Sequence, residues 1–479
     1  MRLHRLPQII ATLCLAGCLQ ACMDDDSFTT SPTNKLVFSA DTILLDTTFS
    51  NVPTTTQSFW VYNQSGDGIR CSTIKLANGN QTGFRVNVNG TYLGASAGYQ
   101  VQQVEIRDKD SVRVFVELTA QTNYQQDPQL VSDDLVFTLE SGIEQRVNLC
   151  AYSWDATLLN APEIKTDTTL TGEKPIVIYG MMTIEEGATL TLSPGTTLYF
   201  HQDAGIDVFG TLYSQGQQGE EVVLRGDRLD HMFDYLPYDY TPGLWQGIRF
   251  HGSSYGNELD YTDLHSAYTG ITCDSSDVTR DKLTMRQSTV HNCQGYGLVS
   301  SCAKMTLENC LFSNTLSDCA AFLGGDVSVN NCTFAQFYPF DIDRGASLYF
   351  SGTPYPLLSL LCRNSLITGY ANDVLTGIKG SDEESFSYLF ENCVIRTPQV
   401  STEEEVYFVD VVYEETNDTT QYGERNFVKI DTDLLRYDFH LSEGSQAVNT
   451  ANTQTALPID RDGQPRDSLP DIGCYERIE

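Results

Sequence analysis

The stretch from Arg225 to Gly247 gathers side chains suited to chemistry. Asp227, Asp230, Asp234 and Asp239 stand among Tyr235, Tyr238, Tyr240 and Trp245, bracketed by Pro237, Pro242 and Gly243. Aromatic faces beside carboxylates suit sugar rings, whose apolar C–H faces stack while their hydroxyls bond the acids. Tyr235, Tyr238, Tyr240, Trp245, Asp227 and Asp230 are therefore the candidate glycan-binding residues. The plainer alternative is that the aromatics pin an insertion against the body of the protein. Arg225-Gly226-Asp227 also spells an integrin-type tripeptide, which without an exposed loop tip reads as coincidence.

The remaining acids and thiols promise less. Glu403 to Glu405 and Glu414-Glu415 fall in an insertion from Thr397 to Arg425, and such charge runs read as solvated loops. Clustered carboxylates suit calcium, but the EF-hand spacing of Asp, Asn and Gly with a closing Glu does not appear. Asp460 to Asp462 with Gly463 reads as a turn. Beyond Cys22 the chain keeps eleven cysteines, an odd number that cannot all pair internally. Neither a CxxC pair nor a histidine at metal-ligand spacing accompanies them, so no metal is assigned. Cys310, Cys332 and Cys393 read as small buried hydrophobes, and a bridge between Cys302 and Cys319 stays open. No catalytic residue and no cofactor emerges.

A repeat must position the loop. Gln287-Ser288-Thr289-Val290, Asn309-Cys310-Leu311-Phe312, Asn331-Cys332-Thr333-Phe334, Asn364-Ser365-Leu366-Ile367 and Asn392-Cys393-Val394-Ile395 share one pattern, with Tyr261-Thr262-Asp263-Leu264 as a weaker first copy. Their steps of 26, 22, 22, 33 and 28 residues match the coils of a β solenoid. Apolar residues two and four positions before each copy alternate as in a strand with one buried face. The inward set then shifts parity by one residue, so the chain must bend at the Asn. Asparagine tolerates the left-handed backbone region such a corner needs. Asn309, Asn331, Asn364 and Asn392 are accordingly expected to form a corner ladder, with stacked amides bonding one another.

Brief apolar strands from Ile176 to Gly226, most ending at Gly, enter this solenoid, which is assigned residues 160–479 with a closing cap at its C-terminus. Residues 35–155 carry short alternating strands, Leu36–Phe38, Ile43–Leu45, Phe59–Tyr62, Phe84–Val88, Val112–Leu118 and Leu135–Leu139, between Asn/Gly/Asp-rich turns. That spacing predicts an antiparallel, Ig-like β-sandwich. The fold class is all-β.

Residues 1–22 read as an address. Arg2, His4 and Arg5 precede an apolar run too short to span a bilayer, then Leu15-Ala16-Gly17-Cys18 and Leu19-Gln20-Ala21-Cys22. Cys22 is favoured for lipid attachment, with Cys18 as the alternative, and residues 23–34 form an acidic, flexible tether. The formal net charge of −34 repels phosphate backbones, which excludes nucleic acid as a partner.

Met23-Asp24-Asp25-Asp26 after Cys22 resembles the acidic export tag of Bacteroidota surface lipoproteins. The tract from Lys174 through Glu186-Gly187-Ala188-Thr189-Leu190-Thr191-Leu192-Ser193-Pro194-Gly195 to Leu212, and the ending Pro470-Asp471-Ile472-Gly473-Cys474-Tyr475-Glu476, resemble right-handed parallel β-helix lipoproteins of that group. The resemblance implies a right-handed parallel β-helix whose last coil the ending closes. It also implies an outer-membrane location facing the exterior of a Gram-negative cell, and it transfers no catalytic motif. The function expected is a non-catalytic binding or adhesion rod for a glycan or host protein, anchored in the membrane by lipid. A structural spacer and a polysaccharide lyase or glycoside hydrolase are the alternatives, the last because hydrolysis needs a positioned carboxylate pair that nothing here identifies.

Overall fold

The computed structural model describes residues 27–79, 81–233, 235–380, 385–414 and 423–478. Cys18, Cys22, Asp234 and Glu415 lie outside the described residues. The chain divides after Asp155 into two compact units. Among the described residues no helix is long and apolar enough to cross a membrane.

The first unit is a sandwich of two five-stranded sheets. Alternation dictates it: Val112, Val114, Val116 and Leu118 point into the core while Arg113, Phe115 and Glu117 between them do not. Facing them are Leu135, Phe137 and Leu139 of the other sheet. Four strands are not among those expected from sequence, Ile69–Leu76, Thr91–Tyr92, Gln100–Ile106 and Glu144–Trp154. In Ile69–Leu76 the buried positions are separated by Arg70, Ser72, Thr73 and Lys75, in Glu144–Trp154 by Asn148, Cys150 and Tyr152, and Gln100–Ile106 is an edge strand in which Ile106 alone is buried. Pairing is antiparallel except where Asn148–Trp154 runs parallel to Thr42–Phe49.

The second unit is a parallel solenoid. Eleven strands, one per level, form one long parallel sheet, and seventeen more form the other. Register is kept from coil to coil: Val290 lies beside Phe312, Phe312 beside Phe334, Phe334 beside Ile367, and Ile367 beside Ile395. All five are buried, and the Phe312 and Phe334 rings stack 5.3 Å apart. Each such side chain contributes about 1.5–3 kcal/mol when fully withdrawn from water.

The corners are left-handed. Tyr261, Gln287, Asn309, Asn331, Asn364 and Asn392 have φ of 42°, 46°, 50°, 48°, 45° and 52°. The amide ladder expected there does not form, because the side chains turn to another partner. Asn309 donates to the Ile459 carbonyl at 2.9 Å and Asn331 to the carbonyls of Asp471 and Gly473 at 3.3 and 3.4 Å. Asn364 donates to Thr455 Oγ1 at 3.1 Å, and Asn392 Oδ1 accepts from Asn452 Nδ2 at 3.2 Å. The ladder that does exist sits one residue later. Thr262 N–H donates to Ser288 Oγ, Cys310 N–H to Cys332 Sγ and Cys332 N–H to Ser365 Oγ, at 3.0, 3.5 and 3.1 Å. The bend removes these N–H groups from the sheet, and a small side chain one coil on satisfies them. The cysteines there are buried, as small core residues should be, but they also serve as acceptors.

The partner of the corners is the C-terminal segment. Residues 452–473 run along the outside of the eleven-stranded sheet rather than closing the last coil, a correction to the cap expected there. Ile472, Cys474 and Tyr475, with Phe439 and Leu441 of an antiparallel strand pair, cover outward-facing Leu311, Ala335, Leu366 and Val394. The outward column is itself apolar on these levels, so it needs a cover. The stretch after Thr397 is not a plain loop either. Phe408–Val409 and Val412–Tyr413 add another level, and Glu414 is fully buried against Arg396 at 3.3 Å. All eleven described cysteines are free, Cys302 and Cys319 included.

Candidate functional site

Reading down one column of the solenoid locates the site. The fourth residue after the corner is His265 on one coil and His291 on the next, and the two are register partners. Asp263 lies two residues before His265 on the same face, since strand side chains alternate. Asp263 Oδ1 is 2.9 Å from His265 Nδ1 and 3.2 Å from His291 Nε2, and the two rings are 4.8 Å apart. These three residues are the group of potential metal ligands found among the described residues. This departs from the sequence reading, in which no histidine met a ligand spacing.

The Arg225 to Gly247 loop supplies what stands behind them. Its turn Tyr238–Tyr240 presents Asp239, whose Oδ1 lies 3.0 Å from His265 Nε2 and whose Oδ2 lies 2.9 Å from Arg225. Trp245 donates from its indole N–H to the His265 carbonyl at 2.8 Å and stacks on Phe200 at 4.2 Å. The row is thus Arg225, Asp239, His265, Asp263, His291. Burial opposes a charge on His265, but carboxylates on both ring nitrogens prevail and push it up to about 10. Burial alone would raise Asp263, but His265 and His291 hold it well below the usual carboxylate range.

Asp263 and His291 open onto a cleft of about 560 Å³. The solenoid contributes one wall, with Thr289, Asn292 and Asn314, and Tyr240 of the loop stands at it. The C-terminal segment contributes the other, with Tyr437, Asp438, His440, Arg461, Asp462 and Tyr475. His440 faces Asp438 at 2.6 Å and Asp462 at 2.9 Å, and its ring lies 4.2 Å from that of Tyr475. The bond to Asp462, aided by Asp438 and opposed by burial, holds His440 up to about 9. His440 in turn lowers Asp462, with help from Arg461 at 3.1 Å. The Asp460–Gly463 turn expected from sequence is present, with Gly463 at φ 77° and Asp460 Oδ1 accepting from the N–H groups of Asp462 and Gln464.

The six candidate glycan-binding residues scatter. Trp245 is 0% exposed, so it cannot stack on a ligand; its role is to seat His265. Tyr238 is covered by the Arg228 guanidinium at 3.7 Å, and Arg228 also holds Asp230 through two 2.6 Å bonds. Asp227 faces His201 at 2.8 Å and is largely buried, so the Arg225-Gly226-Asp227 tripeptide presents no free tip. Tyr235 and Tyr240 stay exposed, at 48% and 38%. Tyr235 stacks with Phe233, while Tyr240 alone of the six reaches the cleft.

Residues 246–396 match the family model described as right-handed β-helix region. No protein of curated function matches the sequence. Among solved structures, a protein of unknown function from Porphyromonas gingivalis W83 is 11% identical, over 28% of this chain and 60% of that one, with a TM-score of 0.19. The chain therefore spans less than two thirds of that protein. The Agl-KA catalytic domain is 11% identical over 74% of this chain and 72% of that one, with a TM-score of 0.31. The catalytic unit of a thermostable GH87 α-1,3-glucanase from Streptomyces thermodiastaticus strain HF3-3 is 9% identical over 76% and 91%, with a TM-score of 0.21. Likeness at these scores carries no functional argument.

Proposed function

Starting from an all-β chain whose second unit is a right-handed parallel β-helix, we propose that the protein binds a saccharide in the cleft between the helix flank and the C-terminal segment. The observation that carries this reading is the lining: one exposed aromatic, Tyr240, among Asp263, His291, Asn314, Asp438, His440, Arg461 and Asp462. A ring stacks on the tyrosine while its hydroxyls meet donors and acceptors on both walls. The volume suits a short oligosaccharide. Binding is favoured over hydrolysis because each lining carboxyl is already engaged, Asp263 by His265 and His291, Asp438 by His440, and Asp462 by His440 and Arg461. A glycosidase general acid must instead be held protonated.

The reading includes an address. Cys22 carries lipid, and the acidic Met23-Asp24-Asp25-Asp26 directs the chain to the outer face of the outer membrane of a Gram-negative cell. A host protein as ligand, and a structural spacer, are the competing outcomes.

A glycan array followed by calorimetry tests the cleft. Wild type binds at least one neutral or acidic oligosaccharide, and Tyr240→Ala with His440→Ala weakens it by about tenfold or more, the loss of roughly 1.4 kcal/mol. An empty array, or unchanged affinity in the double variant, overturns the reading. Labelled fatty acid incorporated by wild type and not by Cys22→Ala tests the anchor separately.

A further inference from the structure

We propose that Asp263, His265 and His291 bind a divalent transition-metal ion of the zinc class, with open coordination positions facing the cleft. Two ligands on bonds of about 2.1 Å lie about 3.0 Å apart at a right angle and about 3.4 Å apart at the tetrahedral angle. The distances from Asp263 Oδ1, 2.9 Å to His265 Nδ1 and 3.2 Å to His291 Nε2, fall in or next to that range. Two imidazoles and one carboxylate suit zinc, cobalt or nickel, where calcium and magnesium take oxygen ligands.

The shell behind the ligands has the form such sites need. A ligating histidine gives its other ring N–H to a carboxylate, which fixes the tautomer and the ring. His265 Nε2 faces Asp239 at 3.0 Å, and Asp239 is in turn held by Arg225 at 2.9 Å. Trp245 fixes the backbone of the same histidine. Asp263 and His291 line the cleft, so the remaining positions of the ion point where a ligand enters.

A plain ion pair is the competing account, since this acidic chain sets other histidines against aspartates. His251, on the opposite sheet, lies 2.8 Å from Asp207 and 3.4 Å from Asp274. That pair of contacts does not gather three ligand atoms within 4.8 Å, as Asp263, His265 and His291 do. The ion would meet the hydroxyls or carboxylate of a bound sugar, a role that rests on the saccharide reading of the cleft. The site itself does not.

The test uses the chelator-stripped full chain, dialysed against Zn²⁺ and assayed by elemental analysis, with no saccharide present. Wild type retains about one equivalent, His291→Ala and Asp263→Asn lose it, and His251→Ala keeps it. Asp239→Asn weakens the affinity by about 10–100-fold. Co²⁺ in place of Zn²⁺ gives a visible d–d band that disappears in His291→Ala. Circular dichroism confirms that each variant is folded, and His291, whose side chain is 25% exposed, is chosen because its removal leaves the core intact. The proposal is overturned if wild type binds substoichiometrically, or if binding survives in both His291→Ala and Asp263→Asn. One equivalent of Zn²⁺ on a chain that binds no saccharide sustains the metal site and defeats the saccharide reading.

Discussion

Arg461 Nε lies 3.1 Å from Thr289 Oγ1, which fastens the C-terminal segment to the coil that carries His291. Both residues line the cleft, and Arg461 is nearly buried. Arg461→Ala should cost about 1–3 kcal/mol, because it also leaves Asp462 without its second cation. Thr289→Val should cost about 1 kcal/mol, since only the acceptor goes. Urea denaturation checks both; no loss in Thr289→Val would mean the bond itself does not hold the wall.

His440 makes stability depend on pH. Its neighbours are Asp438, Asp462 and Tyr475, with Arg461 beyond Asp462, and the carboxylates raise it from the ordinary value of 6.5 to about 9. A group raised by folding contributes fully below its unfolded value and loses that contribution as pH rises through its folded value. The stabilisation is therefore present below about pH 6.5 and is lost as pH rises through about 9. Across that window the unfolding midpoint should fall further in wild type than in His440→Gln. An NMR titration placing the ring near 6.5 would contradict this.

Asn331 both bends the chain and bonds the strap that residues 452–473 form along the corners. Alanine at φ 48° meets the left-handed penalty and forfeits the contacts to Asp471, Gly473 and the Leu457 N–H. Asn331→Ala should destabilise by about 2–4 kcal/mol. Asn331→Gly should recover about 1 kcal/mol of that, because glycine takes the left-handed conformation freely. Chemical denaturation of the pair separates the backbone share from the side-chain share.

Arg396 and Glu414 form a fully buried pair, tied further to Ala371 and Asn372 on one side and Asn426 on the other. Removing one partner strands the other charge, so Arg396→Leu or Glu414→Gln should cost about 3–5 kcal/mol. The double change to Arg396→Leu with Glu414→Leu should cost less than either alone. A double-mutant cycle in urea measures it.

Legibility followed periodicity. The corner at Asn309, Asn331, Asn364 and Asn392 is readable because a slip of one residue in an alternating pattern has to be taken up by a bend. The strap is not readable, since its bonds join residues as far apart as Thr289 and Arg461, 172 positions away. Glu414 looked solvated because charge runs usually are, yet a cation four residues past a corner awaited it. Trp245 looked like a platform because nothing in a single sequence marks which face of an insertion is covered. His265 and His291 were findable: counting four residues from Tyr261 and from Gln287 reaches both. Spacing along the chain hides them, because in a solenoid the neighbours are one coil apart.

The strap also alters how the solenoid comes apart. A plain stack of coils is coupled only to its neighbours, so it frays from its ends one level at a time. Here one segment holds the corners at Asn309, Asn331, Asn364 and Asn392 together. Those levels should open as a single cooperative block, with uniform amide protection in native-state hydrogen exchange, while levels from Ile176 to Phe200 exchange in graded fashion.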